Sequence, residues 1–169
     1  DPVLKGLEAK SCIYRIYRDI RFSPDKTPYK SHMGAVLVRG GRNNAGRYAG
    51  YYVHVEPGDK SIIGGGAYMP PSLWLSAIRE KIGEQGEELV EIINNREFAG
   101  IFGKIGGEKL KYAPKGYQKD NPYVEFLKHK SFLASRIVTD REVTSSEFLS
   151  ITIQAFKAMK PFNDFLNEY

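Results

Sequence analysis

Sulfur and long apolar runs are what this sequence has least of. Cys12 is the one cysteine in 169 residues, so the chain can close no internal disulfide and build no cysteine-based zinc site. A reducing, cytoplasmic compartment follows as the expectation. No run approaches the roughly 18 consecutive apolar residues of a membrane-spanning helix, and Asp1-Pro2-Val3-Leu4-Lys5 has no signal-peptide pattern. A membrane partner is therefore not expected. Repeats, low-complexity tracts and interdomain linkers are also lacking. What is present, 41% hydrophobic, 12% aromatic and 27% charged residues, is the composition of a chain that buries a real core. Its length suits a single domain over residues 1–169, strand-rich over 12–69 and helix-rich over 71–169.

The net charge of +5 is unevenly placed. Residues 1–60 carry 11 Lys/Arg against 6 Asp/Glu, whereas residues 61–169 carry 14 of each. Only the first third is basic, which directs the search for an anionic partner there.

Cys12 to Ile20 is rich in β-branched and aromatic residues and predicts a strand, although both of its faces mix charge with apolar groups. The segment from Phe22 to Ser31, with Pro24 and Pro28, predicts an ordered loop. Met33–Arg39 and Tyr51–Glu56 predict a hairpin with a long Gly/Asn-rich connection, and Ser61–Met69 a further strand interrupted by Gly64-Gly65-Gly66. After Pro70-Pro71 the apolar period becomes helical at Leu75, Ile78, Ile82, Leu89 and Ile93, with Gly83 and Gly86 dividing the run into two helices. Asn121-Pro122 predicts the start of a short helix to about Lys130. Ala134–Thr139 predicts a strand, and a final helix begins at Ser145 or Ser146, kinked or restarted at Pro161. Strands early and helices late give an α+β fold, with a mainly antiparallel sheet from the N-terminal half packed by helices from the C-terminal half.

Arg15, Arg18, Asp19, Arg21, Asp25, Lys26, Tyr29 and Lys30 fall within sixteen positions. Planar guanidinium forks suit carboxylate or phosphate, so this density predicts a site for a small anionic or phosphorylated ligand. The same residues would equally serve a structural ion network in which Asp19 and Asp25 pair with the arginines. His54 and Glu56 share a strand face with Tyr52 and form a candidate general acid/base pair. They lack the Pro-Cys-x-x-Cys partner of the zinc deaminases, and no local ligand spacing supports a metal. Arg39, Arg42 and Arg47, with Tyr48, Tyr51 and Tyr52 close by, offer a weaker nucleic-acid surface, equally explained as a solvated hairpin tip. Gly64-Gly65-Gly66 matches no phosphate-loop pattern and predicts a bulge or a close backbone approach. Trp74 predicts packing.

The stretches Arg15-Ile-Tyr-Arg-Asp-Ile-Arg-Phe-Ser-Pro-Asp-Lys-Thr-Pro-Tyr-Lys30 and Gly50-Tyr-Tyr-Val-His-Val-Glu-Pro-Gly58 resemble a bacterial family, domain of unknown function 2461. The resemblance continues through the glycine-rich turn, Met69-Pro70, Ile78-Arg79, Leu110-Lys111 and Pro114-Lys-Gly-Tyr117. It implies no particular activity or cofactor. Members usually open on a further helical stretch with a Trp-Phe pair, which the sequence lacks, so a site needing those residues is expected to be incomplete. The functional expectation is thus a pocket for a small anionic ligand, built on the basic strand-loop region and completed by Tyr29, His54 and Glu56. Its alternative is a non-catalytic domain docking an acidic protein or nucleic acid through the same region.

Overall fold

The computed structural model describes residues 1–168. A one-turn helix α1 (Ala9–Cys12) precedes three strands, β1 (Met33–Leu37), β2 (Gly50–Val55) and β3 (Ser61–Ala67). Helices α2 (Ser72–Asn94), α3 (Arg96–Phe102) and α4 (Val124–Leu127) follow, then β4 (Phe132–Val138), α5 (Asp140–Val143) and α6 (Phe148–Asn167). The four strands form one antiparallel sheet in the order β1-β2-β3-β4. The fold is α+β, with three of its strands in the N-terminal half and most of its helix in the C-terminal half.

Alternation along the strands separates two faces. Tyr51, Ile63, Ala67, Phe132, Ala134 and Val138 turn toward the helices and are buried with Ile78, Ile82 and Leu89 of α2 and Ala155, Met159 and Phe162 of α6. Phe98 of α3 wedges between Phe102 and Phe162, with ring centroids 5.1 and 5.5 Å away. Two polar clamps fix α6. Trp74 Nε1 donates to Leu166 O at 2.9 Å. The Asn167 side chain accepts from Ala49 N at 2.7 Å and donates to Ala49 O at 3.1 Å, holding the chain just before β2.

The three glycines of β3 answer to backbone proximity. A Cβ on Gly65 would lie 2.1 Å from Gly50 O and 2.6 Å from Met159 Sδ, and one on Gly66 would lie 2.0 Å from Phe132 O. Only hydrogen fits there.

The predicted strand from Cys12 to Ile20 is corrected. Cys12 ends α1, and beyond it the chain makes only isolated bridges, Ile13 to Ala35 and Tyr17 to Tyr29. Residues 13–30 form a two-legged arm in which Arg18 N donates to Pro28 O and Lys30 N to Ile16 O, both at 2.9 Å. With charge on both faces, neither leg has a side to bury: Ile13, Ile16 and Tyr17 stay 41–55% exposed. The arm nevertheless covers the free edge of β1, where Tyr14 N donates to Gly34 O at 2.9 Å, while Gly106 pairs with Leu133 on the opposite edge.

The expected division of the 72–94 run into two helices is present as a kink at Gln85, between Gly83 and Gly86, where the dihedrals leave the helical region. Gly86 beside it receives the Tyr123 ring, which a Cβ would meet at 2.4 Å. The expected helix start at Asn121-Pro122 is corrected: α4 begins at Val124 with Tyr123 at its N-cap, Asn121 accepting from Tyr123 N at 2.8 Å in the turn before it, and it ends at Leu127, where Lys128 O and Lys130 N bond back to Leu110 N and Glu108 O. At Pro161 the helix does not restart: α6 runs through it, held by buried Phe162, Phe165 and Leu166 beyond. No helix among the described residues is long and apolar enough to cross a membrane.

Candidate functional site

The second face of the sheet carries Gly34 and Val36 of β1, Tyr52 and His54 of β2, Ile62, Gly64 and Gly66 of β3, and Ser135 of β4. No helix among the described residues covers its middle. Small residues on adjacent strands leave it concave, and the result is a trough of about 570 Å³. Its floor is glycine backbone with Val36 and Ile62, and four tyrosines, Tyr14, Tyr48, Tyr52 and Tyr68, line it. Tyr14 comes from the arm, Tyr48 from the β1–β2 connection and Tyr68 from the end of β3, so three separate segments converge on one hollow. Cations attend two of these rings: Lys30 Nζ lies 5.8 Å from the Tyr14 centroid and the Arg39 guanidinium 5.6 Å from that of Tyr48.

At the β2 end of this face a polar chain begins on a trough wall. Tyr52 Oη is 3.1 Å from His54 Nδ1, His54 Nε2 is 2.9 Å from Glu56 Oε2, and Ser31 Oγ donates to Glu56 Oε1 at 3.2 Å. Glu56 holds its charge, since the hydrogen bond from His54 first, and that from Ser31 further, keep its carboxyl below the usual range against some desolvation. An ionised carboxylate only accepts, so Nε2 carries a proton, and in the neutral imidazole Nδ1 then accepts from the tyrosine. Burial chiefly, and Tyr14 next, raise the Tyr52 phenol, which therefore stays neutral and acts as a donor. His32 completes the group, its ring stacked on His54 with centroids 4.4 Å apart. Burial is the main cause of its lowered basicity, followed by the neighbouring His54. His54 and Glu56 side chains are 13% and 22% exposed, shielded yet reachable.

The basic strand-loop cluster is distributed along the arm rather than gathered at the trough. Arg18 pairs with Asp25 and donates to Thr27 Oγ1 at 2.9 Å and Ser23 Oγ at 3.4 Å. Asp25 is held far below the usual carboxylate range, mainly by hydrogen bonds from Thr27 and then by Arg18. Arg21 grips Asp19 through both carboxylate oxygens at 2.9 and 2.6 Å, and Lys26 Nζ donates to Ile20 O at 2.9 Å. Arg15 is exposed, with Asp19 as a neighbouring opposite charge, and Tyr29 leans on Tyr17 at 5.5 Å. Of the eight residues only Lys30 stands beside the trough, over Tyr14. On the hairpin connection, Arg42 is occupied by Lys10 O at 2.8 Å.

His54, Glu56 and Tyr52 were legible as a group from strand parity. His32 was not, although a signal existed: once β1 and β2 pair with Met33 opposite Val55, the residue before Met33 faces Glu56 on the same side. Of the tyrosine walls, the sequence offers Tyr48 and Tyr52 only as stacking groups of a nucleic-acid surface and does not single out Tyr14 and Tyr68, which lie on segments whose convergence no local pattern encodes.

The chain belongs to the family described as conserved hypothetical protein DUF2461, whose model matches residues 1–165. Comparison with curated proteins and with solved structures gives no match.

Proposed function

We propose that the open face of the sheet binds a small molecule with a flat, largely apolar body and an anionic group. The observation that carries this reading is the tyrosine-lined trough of about 570 Å³, a size within the ordinary range of small-molecule sites. Glycine backbone gives a flat floor on which a ring can lie, and the phenol rings supply stacking area with few rotamers to freeze. Lys30 and Arg39, each beside a wall tyrosine, supply the preference for negative charge. Tyr52 gives its single O–H to His54 Nδ1, which fixes its ring as a wall of the trough and leaves its oxygen to accept from a ligand donor. This reading takes up the anion preference expected from the basic first third of the chain and assigns it to the trough in place of the arm's arginines.

The test is a calorimetric and thermal-shift comparison of aromatic carboxylates and phosphorylated ring compounds against inorganic phosphate and a short oligonucleotide, at two salt concentrations. A ligand of the native state raises the melting temperature. Ring-bearing anions are expected to shift it where inorganic phosphate does not, with weak salt dependence, and with loss of the shift in Tyr48→Ala. A response confined to the oligonucleotide, falling steeply and log-linearly with salt, would replace this reading with a nucleic-acid surface. Equal responses to phosphate and to ring-bearing anions would remove the role assigned to the tyrosines.

A further inference from the structure

The geometry points to a divalent transition-metal site formed by His32, His54 and Glu56, with Zn²⁺ the ion best matched. One donor atom from each residue lies within 4.8 Å of the others. Two of the three histidines in the whole chain meet here, while the third, His129, is fully buried elsewhere against Phe132. Two imidazole nitrogens and one carboxylate oxygen are the donor set of open tetrahedral zinc sites, which leave the fourth position to water or a ligand. The hard oxygen-only sites of Mg²⁺ and Ca²⁺ use no imidazole.

Supporting groups around these residues are in place. Ligating histidines characteristically donate their second ring N–H to a fixed partner, and ligating carboxylates are themselves hydrogen-bonded. His54 Nδ1 has Tyr52 Oη at 3.1 Å, and Glu56 Oε1 has Ser31 Oγ at 3.2 Å, leaving Oε2 turned to His54. His54 stands on β2, His32 one residue before β1 and Glu56 one residue after β2, so the paired ends of one hairpin bring the three together. Bonds of about 2.0–2.1 Å put tetrahedral ligands about 3.3 Å apart, so from separations within 4.8 Å His32 draws in by at most about 1.5 Å. The His54–Glu56 hydrogen bond gives way to the ion, and the imidazole proton passes to Nδ1 and is donated to Tyr52 Oη, whose own proton turns outward. Lys30 and Lys60 act electrostatically on His32 and Glu56. Together with the ion they make this end of the sheet face attractive to anions. That the anionic group of a trough ligand takes the open position rests on the trough reading; the metal site does not.

The experiment uses tag-free, chelator-stripped full chain, titrated with Zn²⁺ by calorimetry and with Co²⁺ by visible absorption, in the absence of any organic ligand. One ion per chain is expected, and Co²⁺ should give the intense d–d bands of four-coordination rather than the weak bands of an octahedral ion. His32→Ala, His54→Ala and Glu56→Gln should each reduce affinity about 100-fold or more. Tyr52→Phe should reduce it about 10-fold, the scale of a partner that only orients a ligand. Circular dichroism in chelator keeps the fold in view, and Glu56→Gln preserves shape if either alanine variant unfolds. Non-saturable binding, an octahedral cobalt spectrum, or wild-type affinity in folded His32→Ala or Glu56→Gln overturns the proposal. Because no trough ligand is present, metal binding can fail while the trough reading stands, and the reverse.

Discussion

Replacing Arg79 by Met should cost about 3 kcal/mol of stability. Arg79 projects from α2 to the turn that launches β4, where Nε donates to Leu127 O at 2.9 Å and Nη2 to His129 O at 3.1 Å. One planar fork thereby spans the end of α4 and the entry to the sheet edge. Hydrogen bonds from a charged donor contribute about 1.5–3 kcal/mol each, so the pair is worth about 3–6 kcal/mol before costs. Against this stands the desolvation of a half-buried guanidinium, the leading cause of its lowered basicity, which the substitution relieves. The lower end of the range follows. Methionine retains most of the aliphatic stem, so the loss reports the fork rather than the packing. For a chain of this size about 3 kcal/mol corresponds to roughly 6–12 °C in melting temperature, read by circular dichroism with urea unfolding as the second measure. Arg79→Lys should recover less than half, since one ammonium cannot occupy both carbonyl positions. A loss below about 1 kcal/mol in the Met variant, or full stability in the Lys variant, would refute the assignment of the fork as the clamp.

Gly65→Ala should destabilise by about 3 kcal/mol or more, the upper part of the range for overpacking, because its Cβ would meet Gly50 O at 2.1 Å and neither strand can retreat; a variant melting within a few degrees of wild type would show that the sheet yields there. Asn167→Ala should cost about 2–3 kcal/mol in urea unfolding, since it removes two hydrogen bonds and strands the N–H of Ala49, a residue 5% exposed. Stability should also fall as pH drops from 7 toward about 5.5. Burial first, and the Lys109 charge next, hold His129 below its ordinary value of 6.5, so in that window the unfolded chain binds a proton that the folded chain refuses. The sign is therefore positive, stability rising with pH, at no more than about 1.4 kcal/mol per pH unit for this one group. The slope should lessen in His129→Gln, and a pH-independent stability across the window would contradict it.

Where the sequence is periodic, the structure follows it. Ile78, Ile82 and Leu89 recur at helical spacing and form the buried stripe of α2, and Phe148 to Leu166 does the same for α6. Local reading failed where the deciding term was non-local. Ile13, Ile16 and Tyr17 have the residue types of a strand but find no partner to bury them, so only single bridges form. Pro161 is a helix breaker by local rules, yet the loss of one backbone hydrogen bond is small beside three large apolar side chains buried just past it.

The site divides along the same line. His54 on β2 and Glu56 one residue past its end are two residues apart, and period alone puts them on one face beside Tyr52. The arm's arginines attracted attention because charge density is visible without knowing the fold, whereas whether a guanidinium is available is settled by the carboxylate it finds, and Asp25 and Asp19 are found locally. His32 is the opposite case. It lies 22 residues from His54 across a Gly-rich connection whose length fixes no register, so its value appears only when the pairing of Met33 with Val55 is known. That register is itself pinned by the face pattern: a slip of one residue would turn Tyr51 out of the core and bring Tyr52 and His54 into it. The burial of Tyr51 at 3% exposure therefore keeps His54 on the open face with His32, and a variant that loosens Tyr51 should weaken their stacking while leaving all three ligand residues in the chain.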